Sequence, residues 1–174
     1  ELAQIKGIAH KKNSKIIFNQ PRECVKELDS LGFPDYSLID LKRYFNLSAQ
    51  GFGSRPIVEG KCPISLISSR GCPYRCYFCG VHNVVGYKFR AYSAKAILDH
   101  IRHLIDKYDI DMINFEDDNL SFDQKRFVEI IDGLLTLKKK VKWATPNGIR
   151  ADTLVNKELL LKVKKSGCVY LKIG

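Results

Sequence analysis

The chain has 174 residues, of which 45% are hydrophobic, and carries 29 Lys and Arg against 19 Asp and Glu, a formal net charge of +10. That length suits one domain with a sizeable buried core. No run approaches the roughly 20 apolar residues of a membrane span and no signal-peptide pattern occurs, which excludes a reading as a membrane-spanning helix.

Residues 1–20 read as a hairpin, with strand-like runs Ile5 to Ala9 and Lys15 to Phe18 joined by the polar Lys11-Lys12-Asn13-Ser14. Pro21 breaks this pattern, and residues 28–46 follow as an irregular apolar-dotted linker with one helical turn. Residues 48–61, with Gly51, Gly53, Pro56 and Gly60, read as a loop. From Ile64 the pattern alternates strand and helix. The apolar run Ile64 to Ile67 is a buried strand, and Ser93 caps a helix with Ile97, Leu98, Ile101, Leu104 and Ile105 inward, leaving His100 and His103 exposed. Met112 to Phe115 is the second strand. Ser121 and Gln124 form a capping box for a helix burying Phe127, Ile130, Ile131 and Leu134, with Lys138 to Lys140 at its negative end. Val141 to Thr145 is the third strand, and Pro146-Asn147-Gly148 turns away from it. A last helix runs from Asn156 to Gly167, ahead of strand Val169 to Ile173. This order predicts a parallel sheet with right-handed crossovers and chemistry at the C-terminal strand ends. The chain opens with Glu1 and stops at Gly174, and reads as part of a longer protein.

Between the first strand and the Ser93 helix lies Ser69-Arg70-Gly71-Cys72-Pro73-Tyr74-Arg75-Cys76-Tyr77-Phe78-Cys79-Gly80. Thiolates at Cys-x3-Cys-x2-Cys can wrap one side of an iron–sulfur cubane and hold three of its irons, where a closed ferredoxin site uses four cysteines. An open metal position is the signature of a site that binds something. Structural zinc is the alternative, with Cys76 and Cys79 as its one Cys-x2-Cys pair and His82 as a further ligand. Cys24, Cys62 and Cys168 show no framework spacing and default to buried structural thiols. Cys62 and Cys168 start strands, on the face opposite the loop, so neither is a fourth ligand. Cluster thiolates must stay reduced, which points to a cytoplasmic setting. No acidic residue lies between Glu59 and Asp99, whereas Lys61, Arg70, Arg75, Lys88, Arg90 and Lys95 do. Those cations favour a reduced cluster or attract an acidic partner or phosphate-bearing substrate; a solvated basic face is the plain alternative.

On these residues the chain resembles the radical S-adenosylmethionine (radical SAM) superfamily, in which an aromatic, here Phe78, precedes the last cysteine. The wording Arg-Gly-Cys-Pro-Tyr-x-Cys-x-Phe-Cys is similar to the branch whose members often carry an N-terminal cobalamin-binding domain. The resemblance implies an α/β fold, a partial (β/α) barrel of parallel strands truncated at strand four. Residues 1–60 would be the end of the cobalamin-type domain and its linker, and residues 61–174 the N-terminal part of the radical core. It implies a 4Fe–4S cluster on Cys72, Cys76 and Cys79 whose free iron takes the amino and carboxylate groups of S-adenosylmethionine. One electron then cleaves the sulfonium and starts radical chemistry on a small-molecule substrate, by methyl transfer, cyclisation or rearrangement, and cobalamin binding by the complete protein stays open. The branch's usual His-containing cobalt-ligand motif is absent, and His10 lacks its context.

Carried over by position, Asp117-Asp118-Asn119 falls where members often have Gly-Gly-Glu, a segment holding the methionine amino group, although this branch commonly shows Asp-Asp there. Asn147 lies in the polar turn after strand three. Arg150 pairs with the methionine carboxylate or with Asp152, and Phe78 stacks near adenine or packs under the loop. An acidic electron donor of flavodoxin or ferredoxin type fits the basic excess. Membrane and nucleic acid are not expected as partners. Two alternatives stay open: an RNA-modifying methylthiotransferase-like enzyme, and a zinc-stabilised binding module without catalysis.

Overall fold

The computed structural model describes residues 1–48 and 60–174, so the expected loop at 48–61 lies almost wholly outside the described residues. Strands β1 (Ala9–Lys12) and β2 (Lys15–Phe18) form the expected hairpin. Asn13 (φ 48°) and Ser14 (φ 62°) close it as a two-residue turn with both backbones left-handed. Such a turn places Lys12 opposite Lys15, which moves the first strand later than Ile5 to Ala9. The linker is more helical than expected. Single 3-10 turns occur at Leu28–Leu31 and Tyr36–Leu38, and helix α1 spans Leu41–Ser48. Asp35 and Asp40 accept from the amides of Ser37 and Lys42, and Leu41 and Phe45, four apart, are buried against the core.

The core is built from β3 (Pro63–Leu66), the short β4 (Ser69–Arg70), α2 (His82–Val85), the short β5 (Arg90–Ala91), α3 (Ala94–Tyr108), β6 (Met112–Phe115), α4 (Gln124–Leu135), β7 (Lys142–Ile149), α5 (Lys157–Lys165) and β8 (Cys168–Ile173). Four parallel strands pair in the order β3-β6-β7-β8, as the alternating pattern predicts, and among the described residues they do not close into a barrel. Strand alternation sends Ile64, Leu66, Ile113, Phe115 and Trp143 into the hydrophobic core with the inward residues of α3 and α4. Ser65 and Asn114, paired in register, stand on the other face.

Three expectations are corrected. Helix α4 is capped by Asp123, whose carboxylate accepts from the Arg126 amide, and not by Ser121. Ser121 is fully buried and shares a hydrogen bond with Thr153. Strand β7 does not end at Thr145. Pro146 has no N–H to donate and Gly148 takes φ 116°, so pairing with β8 lapses after Thr145 and resumes at Ile149, a bulged continuation instead of a turn. His100 is not exposed but 5% accessible, stacked on Phe33 at 4.2 Å where the linker crosses α3. Ser93 caps α3 and Gly167 (φ 98°) ends the α5 region, both as expected.

His100 carries a pH prediction. Burial, then His103, lowers its pKa from 6.5 to about 4, so the folded chain resists a proton that the unfolded chain accepts. Stability is therefore expected to be level above pH 6.5 and to fall between pH 6.5 and 4. Urea midpoints across that range should lose part of this slope in His100→Phe, and an unchanged slope would refute the assignment.

Candidate cofactor site at the strand ends

Beyond β3 the chain leaves the sheet at Ser68 and returns at Tyr92, whose amide donates to the Ser68 carbonyl at 3.0 Å. Strands β4 and β5 pair antiparallel, Ser69 with Ala91 and Arg70 with Arg90, and form the neck of the excursion. At its start Gly71 (φ 85°) runs so close to the Lys88 carbonyl that a Cβ there would collide with it. The Cys72 amide donates to the Gly86 carbonyl at 3.3 Å, and the Cys79 amide to the Cys76 carbonyl at 3.0 Å. Backbone contacts thus hold Cys72, Cys76 and Cys79 on one folded-back loop, each half-buried. Burial pushes the Cys72 thiol up, partly offset by the Tyr74 amide, and the charges of Asp118, Cys76 and Cys79 push the same way as burial.

Among the described residues no three His, Cys, Asp or Glu side chains converge on one ion. Thiolates that each take a different iron of a cubane need not converge on one point. His82, the further ligand in the zinc alternative, is stacked on Tyr87 at 4.7 Å. Cys24 is exposed, contrary to expectation, while Cys62 and Cys168 are partly covered. Cys62 hydrogen-bonds to Asp111 just before β6, and Cys168 pairs with Trp143 near the start of β7, which puts both at the end of the sheet away from the loop.

The acidic run after β6 divides by burial. Asp117 is 1% exposed and both its oxygens are taken: Oδ2 by the Ser68 amide at 3.1 Å, Oδ1 by the hydroxyls of Ser68 and Ser69. It is turned into the protein, a correction to the expectation that it meets a cofactor ammonium. Asp118 is less buried, and burial followed by the neighbouring Asp117 raises its pKa. Asn119 is 2% exposed, its Oδ1 accepting from Ser121 while its Nδ2 is buried without a partner. Asn114 Oδ1 and Thr145 Oγ1, in β6 and β7, are also buried and unpartnered. Such orphaned polar atoms are costly unless water or a ligand meets them.

Asn147 Nδ2 donates to the Glu116 carbonyl at 2.8 Å, tying β7 to the end of β6. Arg150 pairs with Asp152 at 2.7 Å, the second of its two expected roles, and lies 4.0 Å above the Tyr74 ring in the cysteine loop. Asp152 first, and then Tyr74 and Cys76, raise the Arg150 pKa. Tyr74 meets Phe122 edge-on at 5.9 Å. Phe78 is 86% exposed, so it does not pack under the loop. The basic excess is partly structural: Arg90 donates to the carbonyls of Val25, Val85 and Lys88, and Lys95 pairs with Asp99. Arg70, Arg75 and Lys88 are exposed around the loop.

The sequence reading missed Ser68, Ser69 and Arg126. The signal for Arg126 was its place on the same i, i+4 stripe as Ile130 and Leu134, where a cation turned inward needs acceptors.

The family model of the Radical SAM superfamily matches residues 66–174, more than half of the chain. The chain belongs to the radical SAM superfamily. Over 175 aligned residues, all of this chain and 35% of the relative, it is 27% identical to the uncharacterized methyltransferase PH0819 of Pyrococcus horikoshii. It is 31% identical over 141 residues, 81% of this chain and 25% of the relative, to cytidylyl-2-hydroxyethylphosphonate methyltransferase of Streptomyces wedmorensis. The radical SAM chain thus spans about a third or less of the length of these relatives. Among solved structures, the cobalamin-dependent S-adenosylmethionine radical enzyme OxsB, with aqua-cobalamin and S-adenosylmethionine bound, superimposes with a TM-score of 0.70. That match has 20% identity and covers all of this radical SAM chain and 24% of OxsB. The parallel sheet is therefore that of a known radical SAM fold. Among the described residues, no helix is long and apolar enough to cross a membrane.

Proposed function

We propose that this chain is the S-adenosylmethionine-cleaving core of a cobalamin-associated radical SAM methyltransferase acting on a small molecule. The observation that carries the reading is the loop of Cys72, Cys76 and Cys79 at the C-terminal end of β3, in a chain similar to the two methyltransferases named above. Cys72, Cys76 and Cys79 would hold a 4Fe–4S cluster, with S-adenosylmethionine bound beside it. When bound, these cofactors supply one-electron cleavage of a sulfonium and the radical chemistry that follows.

The chain's own part is to place and charge the site. Asp118 lies near Cys72 and offers a carboxylate to the methionine ammonium, and the unpartnered Asn119 Nδ2 offers a donor to an anionic or carbonyl oxygen. Asn147 keeps the ends of β6 and β7 together, and Arg150, held by Asp152, lies over Tyr74 and braces the loop against the end of β7. Exposed Phe78 is free to cover the adenine. Exposed Arg70, Arg75 and Lys88 suit an acidic electron donor of flavodoxin or ferredoxin type, and the reduced thiols suit the cytoplasm.

Anaerobic reconstitution of the complete protein should give about four irons and four sulfides per chain. Dithionite and S-adenosylmethionine should then release 5′-deoxyadenosine or transfer a methyl group to bound cobalamin. One zinc with no acid-labile sulfide would overturn the reading.

A further inference from the structure

Resting on that reading, we propose that Arg126 and Asp117 are positioning residues that set where the cysteine loop leaves the sheet. Ser68, Ser69, Asp117 and Arg126 are all buried, at 0%, 3%, 1% and 6% exposure. Arg126 Nη2 donates to the Ser68 carbonyl at 2.9 Å and to its hydroxyl at 2.7 Å, and Nε donates to the Tyr92 carbonyl at 2.6 Å. One guanidinium from α4 therefore grips the last residue before the excursion and the first after it. The Ser68 hydroxyl donates in turn to Asp117 Oδ1 at 2.8 Å, so the guanidinium and the carboxylate, which do not touch, are joined through one serine.

The charges explain the choice of residues. A guanidinium or a carboxylate alone at this depth would be strongly disfavoured, and the two offset each other. Apolar side chains of equal volume would give comparable or better stability, so bulk stabilisation is a weak account of a buried ionic pair. What an apolar cluster cannot supply is direction. The planar fork fixes Ser68 and Tyr92 at set angles, and the carboxylate sets both serines. Cys72 follows Ser69 by three residues through left-handed Gly71, so the heading of the chain at Ser69 carries into the first thiolate. Lysine offers the charge without the fork, and asparagine offers the shape of Asp117 without a second acceptor.

The test compares wild type, Arg126→Lys, Asp117→Asn and Ser69→Ala in the complete protein. In the metal-free state the alkylation rate of Cys72, Cys76 and Cys79 is read against that of exposed Cys24. After anaerobic reconstitution the electron paramagnetic resonance spectrum and midpoint potential of the reduced cluster are recorded. Arg126→Lys and Asp117→Asn are expected to raise loop alkylation about tenfold, as loss of a charge-assisted hydrogen bond allows, with Cys24 unchanged. They should also shift or broaden the cluster signal. Ser69→Ala, which leaves Arg126 in place, should do the same to a smaller degree and covers the case in which the charged variants do not fold. Lower melting temperatures with wild-type alkylation and wild-type cluster spectra would overturn the proposal. A wild-type protein that binds no cluster, with variants that still loosen the thiols, would refute the cluster-dependent function proposed above and leave the positioning role standing.

Discussion

Single replacement of Cys72, Cys76 or Cys79 by alanine is expected to take the iron content of the reconstituted complete protein from about four per chain to near zero, and sulfonium cleavage with it. Each thiolate would hold its own iron, and among the described residues no other cysteine stands beside the loop. Cys62 and Cys168 are at the far end of the sheet, Cys24 is exposed on the linker, and His82 is committed to Tyr87. The fold should survive the loss, because none of the three cysteines belongs to the hydrophobic core. Circular dichroism should therefore match wild type while iron and sulfide fall. Cys62→Ala and Cys168→Ala are the controls and should load fully. A Cys76→Ala protein with a full complement of iron would sink the assignment.

Trp143→Ala should be the most destabilising single change in the core, at about 3–5 kcal/mol. The indole is fully buried in β7, edge-on to Phe115 at 5.8 Å and to Phe127 at 6.5 Å, so it joins β6, β7 and α4. Its Nε1 donates to Ser166 Oγ at 3.0 Å, just past α5. Truncation removes the ring contacts, opens a cavity and strips a buried hydroxyl of its donor, in a domain whose whole stability is of order 5–15 kcal/mol. Trp143→Phe keeps most of the ring and loses the donor, at about 1–3 kcal/mol. Urea titrations at constant slope test both, and a cost below about 1 kcal/mol for Trp143→Ala would show that the neighbours collapse around the gap.

What was legible beforehand is what local chemistry determines. Met112 to Phe115, the Ser93 cap and Gly167 each carry their signal within a few residues, and the three cysteines stand together on one loop. What was missed depends on partners far along the chain. His100 is off the α3 stripe and reads as exposed until Phe33, 67 positions earlier, is stacked on it. Asp117 and Asp118 are identical in sequence terms and differ only because Ser68 and Ser69 sit over one of them. Pro146 and Gly148 look like the end of a strand, yet β8 takes β7 up again at Ile149. Asp123 displaced Ser121 as a cap because Ser121 was claimed by Thr153.

The β4–β5 ladder gives the cysteine excursion a common point of departure and return, like a keyring closed on the domain. Slack added within the ring, between Gly80 and Gly86, should cost only about 0.6 kcal/mol for each doubling of its length. Assembly of the domain and capture of iron are then separable events, and a chain starved of metal remains a folded vessel that can be charged later.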